Sequence, residues 1–93
     1  MKTLIVVYDL ANPGQNYEKL LQKIKAYNGW AKLTGSSYLI ATPLNVVQVR
    51  DDLRHVMNNN DKLFVGYCPV PSAWKGMPED VGKWILANQP KHG

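Results

Sequence analysis

Apolar residues fill both phases of the opening segment, Lys2-Thr3-Leu4-Ile5-Val6-Val7-Tyr8-Asp9-Leu10. On a strand, Thr3, Ile5, Val7 and Asp9 share one side, and Leu4, Val6, Tyr8 and Leu10 share the other. A strand apolar on both sides needs cover on both. The turn signal Asn12-Pro13-Gly14 ends it. From about Asn16 to Tyr27 the period becomes helical: Tyr17, Leu20, Leu21 and Ile24 recur on one face, with Lys19 and Lys23 outside. Asn28-Gly29 is expected to close this helix as a left-handed cap.

Trp30–Thr34 then reads as a short strand, Gly35-Ser36 as a turn, and Ser37–Thr42 as the hairpin partner. Asn45 and Gln48 form a capping-box pair, flanked by the staple residues Leu44 and Val49. They open a second helix with the stripe Val46, Val49, Leu53 and Val56. Asn58-Asn59-Asn60 is a polar loop, and Lys62–Cys68 a fourth strand, which Pro69 and Pro71 terminate. Pro78 suits the first position of a last helix, with Glu79 and Asp80 at its positive end and a buried stripe of Val81, Trp84 and Ile85.

The order β-α-β-β-α-β plus a C-terminal helix is the ferredoxin-like, α+β pattern. It predicts a four-stranded antiparallel sheet with the first and third strands central and two helices on one face. The other face is then expected to be bare in the monomer and to pair with a second copy, giving a homodimer. Residues 1–88 are expected to form one domain and 89–93 a flexible tail.

Composition narrows the function. The chain of 93 residues carries a formal net charge of +4, which permits a nucleic-acid partner without demanding one. Its single cysteine, Cys68, excludes an internal disulfide and suits a reducing compartment. No apolar run reaches the roughly 20 residues of a membrane span, and no signal peptide precedes the first strand; the expected location is cytoplasmic.

Nucleophilic catalysis finds little support. His55 sits late in the second helix and His92 in the tail, and Cys68 on a strand suits a structural role. Gly-rich phosphate loops, zinc ligand sets and nucleophile elbows are missing from the sequence. Asp9, at the end of a central strand, has two possible roles. It can bond the backbone of the Asn12-Pro13-Gly14 turn. Alternatively, a two-fold axis can bring two copies together as a metal site, since Mg²⁺ is held by one or two carboxylates and waters. Trp74 can stack on a base or cover the core edge. Lys19 and Lys23 on the first helix, with Arg50 and Arg54 on the second, can form one basic surface that tracks a phosphate backbone. Ordinary solvated helix faces are the alternative, and Asp51 can pair with Arg54.

Val6-Val7-Tyr8-Asp9-Leu10 opening such a chain resembles the smaller core CRISPR adaptation protein, here the Cas-two family, and most of all a stand-alone branch not tied to CRISPR loci. Ser37–Thr42, Val49-Arg50-Asp51, Asp61–Val65, Trp74 and Trp84 extend the resemblance over the chain. It implies a ferredoxin-like homodimer, a metal-dependent nuclease in some members and a DNA-holding scaffold in others, with the metal-site aspartate at Asp9. This chain departs from the family in Ala11–Asn16, where basic residues are common, in its C-terminal helix, where a strand is usual, and in having no second acidic residue near Asp9.

Three functions follow as expectations. The first is a non-catalytic homodimer that binds nucleic acid or serves assembly and requires no cofactor. The second is an endonuclease using Mg²⁺ or Mn²⁺ at Asp9 across the dimer axis. The third is a dimeric protein-interaction or regulatory module.

Overall fold

The computed structural model describes residues 1–88, with the side chains of 13–16 outside the description; the expected flexible tail, 89–93, lies outside the described residues. The elements run β1 (Lys2–Asp9), α1 (Pro13–Lys25), β2 (Gly29–Thr34), β3 (Ser37–Thr42), α2 (Val46–Arg54), β4 (Lys62–Tyr67) and α3 (Glu79–Asn88). The strands form one antiparallel sheet in the order β2-β3-β1-β4, so β1 and β3 are central, as the ferredoxin-like pattern requires.

The two phases of β1 reach two different cores. Leu4, Val6, Tyr8 and Leu10 point into the main core with Tyr38 and Ile40 of β3, Leu20 and Ile24 of α1, and Val49 and Leu53 of α2. Ile5, on the opposite phase, joins a smaller core of Leu39, Cys68 and Ile85, flanked by Leu33, Val81 and Trp84. The amphipathic stripe of α3 therefore closes over the second face of the sheet. The expectation of a bare second face is corrected here. Val81, Trp84 and Ile85 are apolar enough to cover it, and the chain supplies its own second layer over β2 and β3. The Thr3 hydroxyl donates to the Asn88 carbonyl and ties the far end of α3 to β1.

Local signals explain most of the boundaries. At α2 both halves of the capping box form: the Gln48 N–H donates to Asn45 Oδ1 at 2.8 Å, and the Asn45 N–H to Gln48 Oε1 at 2.9 Å. At α1 two expectations fail. Pro13 and Gly14 lie inside its first turn instead of forming a separate turn, because proline is pre-set for a helix start. At the other end α1 stops on Ala26, which keeps a right-handed helical conformation, and Gly29 begins β2. Gly29 lies beside α3: a Cβ there would be 3.4 Å from Ala41 Cβ and from the Trp84 indole, an ordinary van der Waals contact. The one described residue with positive φ is Gly76, in the loop before α3.

Candidate functional site

Asp9 ends β1 on the α3-side face, exposed, and in register with Lys62 of β4. It borders a small cleft of about 180 Å³ with Tyr8, Leu10, Tyr17, Gly35 and Ser36. Its side chain makes no hydrogen bond or ion pair among the described residues. The carboxylate that bonds backbone next to the end of β1 is Asp61. That carboxylate accepts the Ala11 N–H at 2.8 Å and the Asn58 N–H at 2.7 Å, clasping the end of β1 to the loop before β4. In the sequence, a lone acid just before a strand gives no sign of a partner 50 residues away.

Among the described residues no three His, Cys, Asp or Glu side chains gather in a way that could hold a metal ion. Directly opposite Asp9 stands a lysine, whose positive charge opposes a cation.

The four candidate nucleic-acid residues do lie on one helix layer, since α1 and α2 pack side by side on the same face of the sheet. Three of them already have anionic partners. Lys23 Nζ is 2.7 Å from Asp52 Oδ1. Arg50 and Arg54 share Asp51, at 2.9 and 3.7 Å. Lys19 forms no ion pair among the described residues. Asp52 also accepts the Tyr27 hydroxyl at 2.6 Å, so one carboxylate bridges both helices. The Lys23 and Tyr27 hydrogen bonds hold the Asp52 pKa below its ordinary value, and burial of Tyr27, with its bond to Asp52, raises the phenol.

His55 has its Nδ1 2.5 Å from the Asp51 carbonyl. Because a carbonyl only accepts, Nδ1 is the donor in this contact. Cys68 is buried, and burial pushes its thiol pKa up, which fits a structural residue. Trp74 rests against α3, its Nε1 3.4 Å from where a Gly82 Cβ would be, so the loop indole packs onto the helix.

A different group emerges at the sheet's edge. Trp30 of β2 is 39% exposed. Lys25 Nζ lies 4.8 Å from its ring centroid, and Tyr38 packs at 6.0 Å with a 56° tilt. Lys32, two residues on, shares its side of β2. Alternation in Trp30-Ala31-Lys32 puts the two side chains on one side in the sequence; the approach of Lys25 at the end of α1 does not show there. Comparison with known protein families, curated proteins and solved structures finds no match.

Proposed function

We propose that the chain is a Cas-two-like, homodimeric binding module that holds nucleic acid without cleaving it. The observation that carries this reading is a division of charge between the two sides of the sheet. Helices α1 and α2 carry five basic side chains (Lys19, Lys23, Lys25, Arg50, Arg54) against three acidic ones (Glu18, Asp51, Asp52). Helix α3, on the other side, carries two acids, Glu79 and Asp80, against Lys83. A phosphate backbone is attracted to the first side and not to the second.

The α3 side suits contact with a second copy. Beyond the cover of α3, Val7 and Phe64 stand side by side in register on β1 and β4, 38% and 65% exposed. Beside them, Asp9 and Lys62 give the strip one charge of each sign, which a two-fold axis can match with its own image. Dimerisation there leaves both helix layers facing outward for nucleic acid.

Isolation of Asp9 from other acids favours binding over hydrolysis. The expected outcome is a dimer by analytical ultracentrifugation at micromolar concentration, converted to monomer by Phe64→Glu. The dimer is further expected to bind oligonucleotides at low salt and lose affinity steeply as salt rises. A monomeric wild type would remove the self-association, and binding indifferent to salt would remove the phosphate contact.

A further inference from the structure

The geometry points to a single-stranded nucleic-acid anchor at Lys25, Trp30 and Lys32, where an unpaired base stacks on the indole and its flanking phosphates meet the two ammonium groups. This rests on the nucleic-acid reading above and specifies which strand form it takes and where.

Four observations converge. First, cations on the helix layer are not equally available. Lys23, Arg50 and Arg54 are engaged by Asp51 and Asp52. A phosphate there must displace a carboxylate. Lys25 and Lys32 form no ion pair among the described residues, so a phosphate displaces no carboxylate there; it meets Lys32 directly and draws Lys25 from its place over the Trp30 ring.

Second, Trp30 is a large ring left partly open. Lys25 lies over its face and Tyr38 packs at a tilt, while 39% of it remains exposed; a base stacks on the face that Lys25 gives up as it turns to the phosphate. Every base has a π-face, so such a ring binds bases with little regard to sequence. A base in a duplex keeps its faces in the stack, which selects an unpaired strand.

Third, β2 is an edge strand, with β3 on one side and no strand on the other. Trp30 and Lys32 alternate onto the same side of it, about 7 Å apart along the strand. A chain laid along this edge passes the indole and then the ammonium in succession.

Fourth, one acid borders each of the two lysines. Glu18 borders the same hollow on α1 as Lys25, and Asp80 lines the groove between β2 and the start of α3 together with Trp30 and Lys32. Removing Glu18 should therefore strengthen binding.

The test is fluorescence anisotropy of labelled 12-nucleotide single strands of DNA and RNA, and of the matching duplex, over a salt series. The proteins are wild type, Trp30→Leu, Trp30→Phe, Lys25→Gln/Lys32→Gln, Arg50→Gln/Arg54→Gln and Glu18→Gln. Circular dichroism melts check that each is folded. Wild type is expected to prefer the single strand. Trp30→Leu should lose about 5-fold or more in affinity, while Trp30→Phe, which keeps a ring, retains most of it. The double lysine variant should lower the slope of log affinity against log salt by about 1.4, two phosphate contacts on a single strand. The double arginine variant should weaken binding less, and Glu18→Gln should tighten it.

Unchanged affinity in Trp30→Leu, a duplex preference, or loss confined to the arginine variant would overturn this anchor while leaving nucleic-acid binding intact. Failure of wild type to bind any of the oligonucleotides at low salt would overturn the anchor and the function together, and would favour a protein partner.

Discussion

Asp52 is the residue on which the helix layer depends. Its two oxygens serve Lys23 on α1 at 2.7 Å and Tyr27 beyond it at 2.6 Å, while the residue itself belongs to α2. Asp52→Ala removes two charge-assisted bonds and is expected to cost about 1–3 kcal/mol in a urea melt. The pH dependence follows from its lowered pKa. The folded state holds the Asp52 proton more weakly than the unfolded chain does. The stability this gives is fully present above the ordinary carboxylate value and is lost as pH falls below about 4 through the depressed folded value. Between pH 4 and 2, wild type should lose stability more steeply than Asp52→Ala; parallel curves would deny Asp52 that role. Tyr27 works at the other end. Its raised pKa means that the stability it adds persists below about pH 10 and declines above it. Asp9, exposed and without a polar partner among the described residues, should tolerate Asp9→Asn within about 0.5 kcal/mol.

At the scale of elements, α3 decides what the outer face of the sheet can do. It seats Ile85, 4% exposed, against Leu39 and Cys68, and lays Trp84 over Gly29. Ile85→Ala is expected to cost about 2–4 kcal/mol, a fall in Tm of roughly 10 °C or more, read by calorimetry. A change under 1 kcal/mol would mean that α3 is not part of the folded core. This element also marks where sequence reasoning stops. The stripe of Val81, Trp84 and Ile85 tells that the helix is amphipathic and must pack; it does not tell against which face. Strand β3 and the Asn45–Gln48 capping box were legible because their signals are local. Asn28-Gly29 has the local signature of a helix cap, whereas Gly29 opens β2 and lies beside an indole 55 positions away in the chain. Likewise, the adjacency of Asp51 and Arg54 was visible, but the pairing of Lys23 with Asp52 spans 29 residues. The α+β order could thus be read from periodicity, whereas the charge pairings that decide which cations are free could not.

At the scale of the whole molecule, the sheet separates two surfaces. On one side a basic helix layer meets the Trp30 edge; on the other, α3 leaves the short apolar strip of Val7 and Phe64 uncovered. Among the described residues no helix is long and apolar enough to cross a membrane. The surface division is why phosphate binding is proposed for one side and self-association for the other. It also implies independence: Phe64→Glu should yield a monomer whose affinity for a short oligonucleotide changes less than 3-fold, measured by anisotropy at protein concentrations spanning the dimer transition. A monomer that loses all binding would mean that the nucleic-acid surface is built across the two copies.

The most direct measurement is a pair of matched gels, one native and one denaturing, of wild type and Asp9→Asn. Each protein is mixed with short single- and double-stranded RNA and DNA in Mg²⁺ and in Mn²⁺. The expected result is intact oligonucleotide that shifts at low salt, equally with both proteins and most with single strands. Cleavage by wild type that disappears in Asp9→Asn would contradict the central claim and make Asp9 the centre of an enzyme.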